Sequence, residues 1–224
     1  MRKYFTKQLD DLKHDLILYG ANVERQVEQA IYALETNDLE VAKEIIDDRY
    51  VVNQMYKAIE DTCLRLLTTQ APVAKDMRFI SSSLKIIDDM QKMADHAVEI
   101  AEIALNLQDA NIPELVEPIR KLYKRAQKMI VRSIDAFTES DIDLANKVIE
   151  SDDKVDSLYE EIVEDAIELI KEGSDNPAQI IDIIQIVKYI ERISDKAVSV
   201  CEWVIYAVTG ERAEEQDNIL RNDD

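Results

Sequence analysis

Apolar residues recur along this chain at steps of three and four. Between residues 9 and 34 the series is Leu9, Leu12, Leu16, Val23, Val27, Ala30 and Leu34, the stripe of a helix packed in a bundle. Ile119, Leu122, Ala126, Met129, Ser133 and Ala136 repeat it farther along. The run Ile180, Ile181, Ile183, Ile184, Ile186, Val187, Ile190 and Ile193 is apolar nearly all round, so that helix must be covered on several sides. Breaks fall at Asn37-Asp38, Ala71-Pro72, Asn111 to Pro113, Ser140-Asp141, Gly173 to Pro177, and Gly210. The polar residues and prolines among them suit helix starts, and Gly173 and Gly210 suit helix ends. The pattern predicts six helices of roughly thirty residues, each about 45 Å long. Pro118 leaves the start of the fourth between Pro113 and Pro118.

The second half of the chain repeats the first. Asp38-Leu39-Glu40-Val41-Ala42 with Ile45-Ile46 aligns with Asp141-Ile142-Asp143-Leu144-Ala145 with Val148-Ile149, a shift of 141 − 38 = 103 residues. Tyr56 and Ile59 fall on Tyr159 and Ile162 at the same shift. Met93-Ala94-Asp95-His96-Ala97-Val98 then aligns with Ile193-Ser194-Asp195-Lys196-Ala197-Val198 at a shift of 193 − 93 = 100. A duplicated three-helix unit follows, and short turns make neighbouring helices antiparallel. The expected fold is all-α: six long antiparallel helices as two three-helix bundles, residues 5–110 and 113–212, in one domain with the third helix of each half at the centre. The linker from Asp109 to Pro113 is too short to hold the halves apart. Residues 213–224 read as an acidic, disordered tail.

Composition agrees with this reading and narrows the function. Only 3 Gly and 4 Pro interrupt 224 residues, a mixture that favours helix. The net charge of −20 opposes nucleic acid and anionic lipid, which need basic patches. Cys63 and Cys201 lie far apart in apolar runs, so buried, reduced thiols are expected, as suits a cytoplasmic protein. No signal peptide or membrane span is visible.

Acidic residues stand out on the third helix of each half. Glu191, Asp195 and Glu202 fall within roughly 40° of one another on a helical wheel, with Ser199 beside them. The first half carries Asp88, Gln91, Asp95, Glu99 and Glu102 in the corresponding strip. Opposite the second strip, Asp152, Asp156 and Glu160 follow at four-residue steps, a spacing at which like charges cost about 0.2–0.5 kcal/mol per pair. A cation would offset that cost, and an oxygen-rich pair of helices suits hard ions such as Fe, Mn, Mg or Ca. A solvated acidic edge, or carboxylates paired with Lys and Arg of a neighbouring helix, has the same spacing. His96 points about 100° from Asp95, which favours a hydrogen bond over ligation. His14 reads as a surface residue, and Tyr189, Trp203 and Tyr206 as core or interface.

The stretch Tyr189-Ile190-Glu191-Arg192-Ile193-Ser194-Asp195-Lys196-Ala197-Val198 with Glu202 resembles the signature of the PhoU family. Ser140-Asp141 through Asp152-Asp153-Lys154-Val155-Asp156 resembles its second helix, and Gln70-Ala71-Pro72-Val73-Ala74-Lys75-Asp76-Met77-Arg78 its turn into the third. The resemblance spans nearly the whole chain. It implies a non-enzymatic, peripheral negative regulator, expected as a homo-oligomer, a dimer. Such a protein couples a phosphate ABC transporter, through its ATPase, to signalling through a sensor histidine kinase, and meets the membrane only indirectly through the transporter. Some members hold iron or zinc clusters at E/D-x-x-x-D motifs, and by resemblance Asp152, Asp156, Glu191 and Asp195, with Glu202, form a complete second-repeat set. In the first repeat the equivalent positions are Arg49, Asn53, Gln91 and Asp95. Metal is therefore expected in the second half and little or none at Asp95, Glu99 and Glu102, where Arg49 can stand in for the cation by pairing with Asp95 or Glu99. Two rivals stand beside the regulator: a metal-free helical scaffold, and a di-iron enzyme, which would need Glu-x-x-His pairs that neither His14 nor His96 supplies.

Overall fold

The structure, a computed structural model, describes residues 2–70, 72–107 and 113–211. Six helices make it up: α1 Arg2–Thr36, α2 Leu39–Gln70, α3 Ala74–Asn106, α4 Pro113–Glu139, α5 Ile142–Lys171 and α6 Pro177–Thr209. The expected all-α fold is met. Most of the expected linker and the tail at 213–224 lie outside the described residues.

The duplication shows in the backbone of the turns. Asn37 and Ser140, which are 103 residues apart, both adopt a left-handed conformation with φ of 54° and 57°. Behind each, the next amide bonds back into the helix just ended, Asp38 N–H to Ala33 O at 3.1 Å and Asp141 N–H to Ala136 O at 2.9 Å. The two aspartates then cap the following helix. Asp38 Oδ1 accepts from the amides of Glu40 and Val41, and Asp141 Oδ1 from Leu144, each satisfying a donor with no partner inside the helix. Gly173 and Gly210 close α5 and α6 at φ of 88° and 85°, a conformation that costs glycine little. At the ambiguous proline, α4 begins at Pro113 and runs through Pro118. The ring removes one helical hydrogen bond near the start of the helix, where little of the ladder depends on it.

Each half packs its three helices against one another, and the halves join along two seams, α3 on α6 and α1 on α4. Four helices thus form an inner quartet, while α2 and α5 touch only their own half. The α1–α4 seam was not foreseen; only the third helices were expected at the centre. Both seams run antiparallel. Along α3 the partners at 78, 89 and 96 meet α6 at 207, 196 and 189 in falling order. On the other seam Glu35 pairs with Arg120 at 2.8 Å, and Gly20 lies against Ile134. A single apolar core runs through all six helices, with Cys63 and Cys201 free and buried inside it. Burial pushes both thiols up to about 12, well away from the reactive thiolate form. No described helix is long and apolar enough to cross a membrane.

Candidate functional site: facing carboxylates of α5 and α6

Valines and isoleucines lock the facing sides of α5 and α6. Val155 and Ile162 on one, and Ile190 and Ile193 on the other, are fully buried. Helical geometry then fixes what flanks them: Asp152 and Asp156 are carried one turn apart on α5, and Glu191 and Asp195 one turn apart on α6. These four act on one another electrostatically. Burial raises the proton affinity of Asp152 to about 7, followed by the charges of Asp156, Asp195 and Glu191. Burial also raises Glu191, next Asp195 and then Asp156. For Asp195 burial leads again, Asp156 adds to it, and Lys196 and Arg192 pull the other way. Asp152 Oδ1 is shut off from solvent and accepts no hydrogen bond, an arrangement that costs stability unless the oxygen finds a partner.

Glu202 stands apart from this group, seven residues and about 10.5 Å along α6, and is exposed. Glu160 is exposed one turn beyond Asp156. Ser199 turns away from the acidic strip and donates across the central seam to Asp89 Oδ2 at 2.7 Å. Among the described residues no three His, Cys, Asp or Glu side chains are already drawn together as ligands. The four carboxylates are neighbours that repel, rather than a closed cage.

The equivalent positions in the first half solve the same problem internally. Arg49 Nη2 pairs with Asp95 Oδ1 at 3.4 Å, and Gln91 Nε2 donates to the same oxygen at 3.3 Å. Buried Tyr19 donates to Gln91 Oε1 at 3.0 Å, and Tyr56 to Asp88 Oδ1 at 2.7 Å. The bond to Asp88, then burial, raises the proton affinity of the Tyr56 hydroxyl; for Tyr19 burial leads, then Asp95. Glu99 is taken up by His96, whose Nδ1 lies 2.6 Å from Glu99 Oε2 while its ring stacks on Tyr189 at 5.3 Å. Glu102 is exposed. His14 is exposed as expected, and Trp203 is half-buried, edge-on to Tyr206 at 5.8 Å.

Sequence reasoning missed Asp89 and Tyr19. Asp89 is 6% exposed, accepts from Ser199, and has Lys196 Nζ at 3.5 Å, so it crosses the central seam. The signal was its position among Ile86, Ile87 and Met90 on the apolar side of α3. Tyr19 sat in the apolar stripe of α1 with no partner visible in one dimension.

The PhoU domain profile matches residues 16–104 and again 119–204, one match in each half. The chain belongs to the PhoU family. The "Phosphate-specific transport system accessory protein PhoU homolog" of Clostridium acetobutylicum is 34% identical over 217 residues, covering 96% of this chain and 99% of that protein. The Escherichia coli K12 protein, "Phosphate-specific transport system accessory protein PhoU", is 30% identical over 207 residues, covering 92% and 86%. Among solved structures, PhoU from Pseudomonas aeruginosa superimposes with a TM-score of 0.88 at 31% identity, over 92% of this chain and all (100%) of that one. The two matched segments frame the two halves, so the unequal carboxylate sites lie at equivalent points of one repeated PhoU unit.

Proposed function

We propose that this chain is a non-enzymatic cytoplasmic regulator of phosphate uptake. It acts through protein contacts with the ATPase of a phosphate ABC transporter and, in signalling, with a sensor histidine kinase. The observation that carries this reading is similarity across both repeats, nearly end to end, to phosphate-specific transport accessory proteins. The six long helices, packed about one apolar core, present extended surfaces that suit a role by contact. A pull-down of the tagged chain from phosphate-replete cells recovers the transporter ATPase if this is right. Failure at every phosphate level sinks it and leaves the helical scaffold.

The second repeat is the proposed metal-binding half. Asp152, Asp156, Glu191 and Asp195 would supply the oxygens, for Fe, Zn, Mn or Mg, with Glu202 reachable only by the metal's outer ligands. The fit rests on the orphaned Asp152 Oδ1 and on mutual repulsion that a cation relieves. A bound ion would supply positive charge holding α5 to α6, while the chain's own residues set the separation of those helices. Elemental analysis of protein purified without chelator or metal-affinity tag tests this. Stoichiometric metal lost in Asp195→Ala but kept in Asp95→Ala is the expected result, and a metal-free wild type removes the site while leaving the regulatory role intact. The expected homodimer is open to light scattering on the same sample.

A further inference from the structure

One face of this acidic molecule is basic. From Pro118 to Ile134, α4 carries Arg120, Lys121, Lys124, Arg125, Lys128 and Arg132 with no Asp or Glu between them, although the chain holds 47 acidic residues. The equivalent stretch of α1, residues 15–31, has Asp15, Glu24 and Glu28 against Arg25 alone. The basic run therefore belongs to the second half and is not a by-product of the repeat. Arg120 is engaged by Glu35 and Glu117, whereas Lys121, Lys124, Arg125 and, from α5, Lys154 are exposed and make no ion pair among the described residues.

These four cations line one concave groove between α4 and α5, of about 520 Å³. Ser157 offers a hydroxyl in its wall, Leu158 an apolar surface, and among the described residues Glu161 alone brings an acidic side chain to the lining. The groove lies on the other side of α5 from the carboxylate site, because Lys154 is two residues, or about 200° of helical turn, from both Asp152 and Asp156.

We propose that this groove binds a compact oligophosphate, either free or as the polyphosphate tail of a nucleotide. Charge density decides the class. Lys121 and Arg125 are one turn apart, about 6 Å, so a single orthophosphate reaches only some of the cations, while a chain of three phosphoryl groups spans them. Arginine's planar fork matches phosphate oxygens, with lysines as point charges around it. Size decides against larger anions. At physiological salt, charges are screened over about 8 Å, so a ligand seated in the groove feels these cations first. A partner protein covering about 800 Å², or a lipid surface, would also meet Glu161 in the groove and the exposed Glu117 and Asp135 at the two ends of the run.

Calorimetric titration of the whole chain in EDTA, which removes any route through bound metal, tests the proposal with sodium tripolyphosphate, ATP, orthophosphate and a poly-glutamate peptide. Tripolyphosphate is expected to bind with orthophosphate about tenfold weaker or more, and Lys124→Glu/Arg125→Glu to weaken tripolyphosphate by about tenfold or more. The neutral pair Lys121→Gln/Lys154→Gln provides a second variant, and Lys57→Glu/Lys85→Glu, on α2 and α3, retains wild-type affinity. Equal binding of ATP and tripolyphosphate identifies the phosphoryl chain as the recognised part; tighter ATP places its base against Leu158. Absence of tripolyphosphate binding, equal loss in the α2/α3 control, or preference for poly-glutamate overturns the assignment, the last in favour of an acidic polypeptide.

Discussion

Folding gives Asp152 a higher proton affinity than it has in an open chain, up to about 7 from an ordinary 3.8. The folded state thus binds more protons than the unfolded one between those two values, and stability falls as pH rises through that window. Asp152→Asn removes the penalty. With solvent screening discounted, the variant should be more stable than wild type by on the order of 1 kcal/mol at pH 8, and the gain should vanish by pH 4, as chemical denaturation at the two pH values would show. An excess of Mn²⁺ at pH 8 should narrow the difference by stabilising wild type alone. The first half allows the converse experiment. Arg49→Asp with Asn53→Asp and Gln91→Glu rebuilds the second half's acid set on the first, and metal content per chain should rise in elemental analysis.

At the scale of helices, close approach matters most. A Cβ on Gly20 would stand 2.5 Å from Ile134 Cδ1 and 3.0 Å from its Cγ1, so α1 and α4 touch there because one side chain is missing. Gly20→Leu should cost about 1–3 kcal/mol through overpacking, read as a lowered denaturation midpoint, while Gly20→Ala should be much milder because the tip of Ile134 can turn. The contact also marks where sequence reasoning stopped. Six helices, their turns at Asn37 and Ser140, and their glycine ends were all legible, since period and capping are local properties. The α1–α4 seam was not, because a lone glycine inside a helix looks like a weakness until its neighbour is known. Asp89 is similar: an acidic residue on an apolar face is explained only by Ser199 and Lys196 arriving from 110 and 107 residues away. The acidic residues of the candidate site, and the seven-residue separation of Glu202 from them, were readable from spacing, but the turning of Ser199 toward α3 depends on how two helices meet.

For the molecule as a whole, two seams between halves with one continuous core imply that neither half is a finished body. Residues 1–107 alone would expose the sides of α1 and α3 that α4 and α6 cover. Such a fragment should pair with itself through those helices, imitating the missing half, and light scattering should give twice the fragment's mass; a well-folded monomer would contradict this. The full chain should unfold in one transition, with calorimetric and van't Hoff enthalpies in agreement.

Arg49 finally sets apart the fates of the two sites. A guanidinium held by the chain is permanent, whereas an ion drawn from solution comes and goes with supply. On the proposed metal-binding reading, scarcity of divalent metal would leave the repulsion between α5 and α6 unrelieved while Arg49 keeps Asp95 paired. Lys196 and Ser199, holding Asp89 from α6, join the two halves beside that difference.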